Sequence, residues 1–214
     1  MSRAVGVLGG AFNPPHLAHL LLAQEAVASL ELDEMILVPT GEAPHKRIAP
    51  EPGPEVRLEM TRLAVAGCDR LSASDVEVRR EGPSYAYRTL ELLADELPGT
   101  ELTFVMGADV AAGLEGWSRP ERVLELARIA IAERPGADRA EIDEALSRLG
   151  ATDRIDAIEM PPVGISSSMI RARVAAGLPI RWFVPDPVID LIDERGLYGP
   201  PEAVGAAPRS EAAE

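Results

Sequence analysis

Two histidines three residues apart, His16 and His19, follow the run Gly9-Gly10-Ala11-Phe12-Asn13-Pro14-Pro15, which itself ends a β-branched apolar stretch. Glycines at the end of a strand let backbone amides approach a phosphate closely. An i, i+3 pair on the first turn of a helix places both imidazoles on one face, near the positive end of the helix dipole. Two donors beside a helix N-terminus suit a phosphate in transit. Taken alone, the run reads more readily as a glycine turn with two histidines on a partly solvated helix start, or as a stray metal pair. The Gly-x-Gly-x-x-Gly spacing of dinucleotide-binding turns is absent. So is a Walker A loop, because the only lysine, Lys46, is not preceded by the required glycines.

Two further segments reverse those odds. Ile165-Ser166-Ser167-Ser168-Met169-Ile170-Arg171 follows the last predicted strand. One serine there is an ordinary helix cap. Three in a row, with Arg171 one turn later on the same face, also form a cradle for phosphate. Pro44-His45-Lys46 places a cation in a Pro- and Gly-rich loop, where it could close over a polyphosphate. All three histidines of the chain fall between His16 and His45, which random scatter would seldom produce.

The elements that must position these residues alternate along the chain. Strands are expected at Ala4–Leu8, Met35–Pro39, Leu71–Val78, Leu102–Met106, Arg128–Ala132 and Ile155–Met160. Helices are expected at Leu17–Leu30, Pro54–Ala66, Tyr85–Glu96, Arg119–Leu126, Arg139–Leu149, Ser167–Ala176 and Pro187–Arg195. Val5, Val7, Ile36, Val38, Val105, Ile129 and Ile131 are the interiors of strands covered on both faces. Leu17, Leu20, Leu21, Gln24, Val27 and Ala28 have the spacing of a half-buried helix face. Such alternation predicts an α/β fold, a Rossmann-like doubly wound and mostly parallel sheet with helices on both faces, which binds ligands at the carboxyl ends of its strands. Thr40–Glu55 reads as a mobile functional loop. Residues 1–199 are expected to form the functional domain, with a small helical part from about 165 to 199, and 200–214 a disordered tail.

Composition narrows the classes of function. The 214 residues are 46% apolar and 26% charged, enough for one sizeable core without disulfides or a structural metal. A single cysteine, Cys68, fits a reducing cytoplasm and excludes a multi-cysteine zinc site. No apolar run reaches the roughly 18–20 residues of a membrane span, and no secretory leader is recognisable. The formal charge of −14 repels phosphate backbones at long range, so general nucleic-acid binding is not expected. Small anionic ligands remain compatible with it wherever basic groups and helix starts converge.

Gly9–His19 resembles the (H/T)xxH signature of the nucleotidylyltransferase superfamily, and Ile165–Arg171 looks like its second phosphate-binding motif. Within that superfamily the chain is most similar to the bacterial nicotinate mononucleotide adenylyltransferase family. Supporting pieces are Pro44-His45-Lys46, Arg57-Leu58-Glu59-Met60, Ser84-Tyr85-x-Tyr87, Met106-Gly107-Ala108-Asp109, Trp117, Arg134-Pro135-Gly136, and Pro179–Pro185 through Gly196-Leu197-Tyr198. The match runs in order over residues 4 to 199. The chain departs from the family pattern at Ala11, Asn13, Ala18, Ala86, Arg88 and Ser168, where the family has Ser or Thr, Asp, Gly, Thr, Asp and Thr.

The resemblance implies ATP + nicotinate mononucleotide → nicotinate adenine dinucleotide + pyrophosphate, a step of NAD biosynthesis. It assigns His16, His19, Lys46 and Arg171 to the reacting phosphates. Gly9, Gly10, Ala11, Phe12, Gly107, Asp109, Ile165, Ser167 and Ser168 are then expected at ATP. Ser84, Tyr85, Ala86, Trp117 and Arg134 are expected at the mononucleotide. Mg²⁺ would arrive on ATP, with no protein metal site. The partners are these small molecules; no nucleic acid and no membrane are expected, and a homo-oligomer is left open. The competing readings are an enzyme for nicotinamide mononucleotide or for both mononucleotides, one for pantetheine phosphate, and, from another class, an inactive nucleotide sensor.

Overall fold

A computed structural model describes residues 2–43, 52–133, 144, 147–150 and 155–199. Among them, β1 (Arg3–Gly10), β2 (Glu34–Pro39), β3 (Leu71–Ala73), β4 (Thr100–Gly107), β5 (Ala127–Glu133) and β6 (Ile155–Glu159) make one sheet. Its order is β3-β2-β1-β4-β5-β6, with every neighbouring pair parallel. The helices are α1 (Leu17–Ser29), α2 (Pro54–Val65), α3 (Ala86–Glu96), α4 (Ala108–Ala111), α5 (Pro120–Leu126), α6 (Ser167–Ala175) and α7 (Asp186–Glu194). The chain winds outward from β1 to β3, then returns to β4 on the other side of β1. That reversal opens a crevice at the carboxyl ends of β1 and β4.

Strand register explains the burial. Ile36, Val7, Phe104 and Ile129 lie side by side across four strands, and all belong to a core packed against α3 and α5. One residue along, Leu37, Leu8, Val105 and Ala130 form the next row and pack with Ala23, Ala26 and Val27 of α1 on the other face. Strands buried on both faces cannot alternate apolar with polar, and these do not. A third cluster joins Met60 and Ala64 of α2, Ile170 of α6, and Val188, Leu191 and Ile192 of α7. This cluster carries the carboxyl-terminal helices against the rest of the molecule.

Several expectations change. β3 stops at Ala73 instead of Val78. The Ser74 amide donates to the Leu37 carbonyl, Ser74 Oγ accepts from the Val76 amide, and Asp75 closes a turn with the amides of Val78 and Arg79. Val76 is buried through that turn, so its apolar character mimics a strand. The buried face of α1 is Ala23, Ala26 and Val27, while Leu17, Gln24 and Ala28 are exposed. Helix α1 is apolar on nearly every side, so spacing alone selects no face, and its alanines permit the closest approach to the sheet. The short α4 and a 3-10 turn at Leu114–Gly116 occupy a segment too brief to show a period. The Arg139–Leu149 helix lies largely outside the described residues. Within the expected loop, the Thr40 amide donates to Gly10, Gly41 and Glu42 bond Ser84, and Glu55 already belongs to α2. The loop's flanks are therefore anchored.

Candidate active site

The crevice at the switch point is a cavity of about 820 Å³. It lies within the range of sites that enclose whole small-molecule ligands. Most of its wall comes from the end of β1 with the start of α1, the end of β4 with α4, the start of α3, and the segment from β6 into α6.

At the first wall, Gly9 and Gly10 end β1, and Ala11, Asn13, His16 and His19 complete the surface. His16 is the N-cap of α1 and His19 its third residue. Their rings stack at 3.7 Å, 25° from parallel. The His16 amide donates to His19 Nδ1 at 3.2 Å, so neutral His19 carries its proton on Nε2. This fixes His19 as a donor through that nitrogen. Phe12, expected to act through its backbone amide, has a φ of +47° and its side chain in the core, 1% exposed, with the ring edge-on to His19 at 5.0 Å.

Distant residues hold this loop in shape. Arg57, buried to 1% exposure, donates to the carbonyls of Ala11 (2.9 Å) and Gly41 (3.1 Å). Arg171 donates to Asn13 O at 2.7 Å and to Ser168 Oγ at 3.2 Å, and Ser167 Oγ donates to Pro14 O at 2.8 Å. The Tyr198 hydroxyl donates to the Asn13 side chain, and the Leu17 amide donates to Phe183 O at 2.9 Å. Charge-assisted bonds to carbonyls such as those of Arg57 are each worth about 1.5–3 kcal/mol. Sequence reasoning gave Arg57 and Tyr198 no role of their own. Nothing local marks a bond that spans such separations.

The predicted partners converge around the same space. Ile165, Ser167, Ser168 and Arg171 line it from α6, where the Ser166 hydroxyl caps the helix by accepting from the Met169 amide. Gly107 and Asp109 line it from the start of α4, and Trp117 from the following turn, edge-on to Phe104 at 5.9 Å. Ser84, Tyr85 and Ala86 line it from α3. Within the described residues, the amides of Ala86 and Tyr87 make no hydrogen bond. Arg88 is exposed and does not reach the cavity. Lys46 and Arg134 lie outside the described residues.

Sequence reasoning missed Glu77 and Thr89, which also line the wall. Glu77 was absorbed into the over-long strand; its only sequence signal was Arg80 three residues on. The guanidinium groups held above their ordinary range by hydrogen bonds, Arg122 to Glu91, Arg128 to Asp156 and Arg148 to Glu115, all lie away from the cavity.

Parallel strands in this order, with imidazoles, open amides, hydroxyls and a guanidinium around one crevice, are the frame of a nucleotidyltransferase. Residues 7–173 match the cytidylyltransferase-like family model, and the chain belongs to that family. Within it, the chain belongs to the nicotinate-nucleotide adenylyltransferases. It is 43% identical over 203 residues to the probable nicotinate-nucleotide adenylyltransferase of Roseiflexus sp., covering 92% of this chain and 98% of that one. It is 37% identical over 220 residues to the protein of the same name from Pseudomonas syringae pv. tomato, covering 96% and 98%. The fold is shared with the solved Plasmodium falciparum nicotinic acid mononucleotide adenylyltransferase complexed with NaAD. There the TM-score is 0.72 at 19% identity, over 92% of this chain and 97% of that one.

Proposed function

We propose that the cavity transfers the adenylyl group of ATP to nicotinate mononucleotide, releasing pyrophosphate. The observation that carries this reading is the convergence of His16, His19, Ser168 and Arg171 with the open start of α3 on one space of about 820 Å³. The relatives' shared name points to the same substrates.

The chemistry needs little covalent help. The mononucleotide phosphate is ionised at neutral pH, so it attacks the α-phosphorus of ATP without a general base. One P–O bond forms as the bridge between the α- and β-phosphates breaks, and pyrophosphate departs with the charge. Positioning and charge stabilisation then supply the rate. His19, a donor through Nε2, and His16 would face the α-phosphate and the leaving group. Ser167, Ser168 and Arg171 would hold the β- and γ-phosphates, joined by Lys46. Arg171 would do so with the guanidinium edge not engaged by Asn13 and Ser168. Amides of Gly9, Gly10 and Ala11 would contact the phosphates, Gly107 and Asp109 the adenosine ribose. Trp117 would stack on the pyridine ring beside Ser84, Tyr85 and Ala86, with Arg134 nearby.

Mg²⁺ is read as part of the substrate. The wall carries amides, hydroxyls, imidazoles and a guanidinium, which suit phosphate, and two carboxylates, Asp109 and Glu77, the latter engaged by Arg80 and Thr89. Among the described residues no three His, Cys, Asp or Glu side chains cluster as a metal site. Mg²⁺ arriving on ATP would be held mainly by phosphate oxygens and water. The lone Cys68, exposed on the surface, supports a reducing cytoplasm as the place of action. Among the described residues no helix is long and apolar enough to cross a membrane.

The test is pyrophosphate release from ATP with nicotinate mononucleotide, nicotinamide mononucleotide and pantetheine phosphate in parallel. Turnover with the first at least tenfold above the others is expected. Preference for pantetheine phosphate, or no turnover with any, would overturn the assignment.

A further inference from the structure

Glu77 is 2% exposed and forms part of the cavity wall beside the start of α3. In the proposed reading the pyridine ring lies beside Ser84, Tyr85 and Ala86, so the carboxylate it carries would come toward this buried one on the same wall. Uncompensated, Glu77 would oppose binding of nicotinate and leave nicotinamide untouched. Arg80, 14% exposed at its side chain, lies behind it and donates from Nη2 to Glu77 Oε2 at 2.6 Å. Thr89 Oγ1 of α3 donates to the other carboxylate oxygen. Glu77 therefore cannot swing out to solvent. Its backbone is equally confined, since a Cβ at Gly41 would lie 2.4 Å from the Glu77 carbonyl oxygen.

Arg80 also shapes the approach to the helix. Its Nη2 donates to Pro83 O at 2.7 Å, and its Nη1 reaches the carbonyls of Glu81 and Gly82 at 3.3 Å. These are the residues that lead into Ser84. With their carbonyls turned onto the guanidinium, negative ends of peptide dipoles are drawn off the segment whose amides open at Ala86 and Tyr87.

We propose that the Glu77–Arg80 pair sets the preference for the acid over the amide mononucleotide, with Arg80 as a positioning residue that neutralises Glu77 and orients the 81–83 turn. The inference rests on the proposed reaction and names which residues make its specificity. A buried pair of this kind adds little net stability, but removing one partner leaves an uncompensated charge. Here that charge would act on the ligand.

The experiment measures kcat/KM for nicotinate and nicotinamide mononucleotides in wild type, Arg80→Met, Glu77→Gln and the double variant, with melting temperatures alongside. Arg80→Met should lower the acid-to-amide ratio at least tenfold, through KM for the acid, with KM for ATP unchanged. Glu77→Gln keeps hydrogen-bonding groups but removes the negative charge, and should raise the ratio at least threefold. The double variant, neutral at both positions, should recover at least threefold of the ratio lost in Arg80→Met, the rest being the share of the 81–83 turn that Arg80 no longer orients. A purely structural pair would lower both substrates equally and show no recovery, which overturns the assignment. Should Arg80→Met fail to fold, an unchanged ratio in Glu77→Gln does the same. A wild type equally active on both substrates would overturn the acid-specific reading itself, and this assignment with it.

Discussion

The starts of α1 and α3 both border the cavity, yet they offer it different groups. At α1 the protein uses most of its own donors: the His16 amide bonds His19, the Leu17 amide bonds Phe183 and the His19 amide bonds the His16 carbonyl, which leaves the Ala18 amide. What remains for a ligand is chiefly side-chain chemistry, two stacked imidazoles whose orientation those bonds fix. At α3 no side chain caps the helix, and the amides of Ala86 and Tyr87 are open. Under the proposed reaction, the first start would stabilise charge that appears during reaction, and the second would recognise charge already present. A helix dipole is common to both; the hydrogen bonds around it decide its use.

The largest break in this comparison should come from the imidazoles. His19→Ala is expected to slow turnover by about 10²–10³, the loss typical of one preorganised donor. His16→Ala should match it and also melt earlier, because His16 is buried at the N-cap position, where a lost cap costs about 1 kcal/mol. Native circular dichroism with normal turnover in either variant would remove the histidines from the mechanism. The α3 counterpart is Ala86→Pro. Proline is favoured at the first position of a helix and Tyr85 already has the extended backbone that must precede it. The fold should persist while one open amide disappears. KM for the acid mononucleotide should rise about tenfold, as expected for one bond to a charged group, with KM for ATP constant.

Smaller effects sharpen the contrast. Tyr198→Phe removes the hydroxyl held by Asn13 and should cost about 1 kcal/mol, a fall of about 2–4 °C in melting temperature. Turnover should drop less than about fivefold. No change in melting would mean that the loop keeps its shape without the tyrosine. Arg88→Ala should change least. Its side chain is exposed, and an exposed charge is worth under about 1 kcal/mol, so the acid-to-amide ratio should move less than about fivefold. A larger shift would bring Arg88 into the site.

The doubly wound sheet was legible because its strands are continuous β-branched runs, as Val5, Val7 and Ile129 show. β3 was over-read because Val76 is apolar for the sake of a turn. That His16, His19, Ser168 and Arg171 would share one site was legible from chemistry, since a histidine pair and a Ser-Ser-Ser-x-x-Arg run seldom occur together without a reason, and they do line one cavity; their roles at phosphate come from the resemblance. Arg57, Glu77, Arg80 and Tyr198 were not legible in the same way. Their partners are mostly carbonyls and loop atoms, and a carbonyl looks the same in every residue. Lys46 and Arg134 stay expectations from resemblance.

The clamp on residues 13–17 has a consequence for synthesis. Its partners Ser167, Arg171, Phe183 and Tyr198 are separated from it by 153 to 185 residues for the side-chain bonds. The loop leaves the ribosome first and acquires its final shape last. At 5–20 residues per second the interval is on the order of ten to forty seconds. During it the sheet strands can pair and α1 can dock, while the ligand-facing groups lack their restraints. A chain shortened ahead of Ser167 would retain most of its sheet, both histidines and the Arg57 bond to Ala11, but would lose the bonds to Asn13, Pro14 and Leu17 and should turn over more slowly.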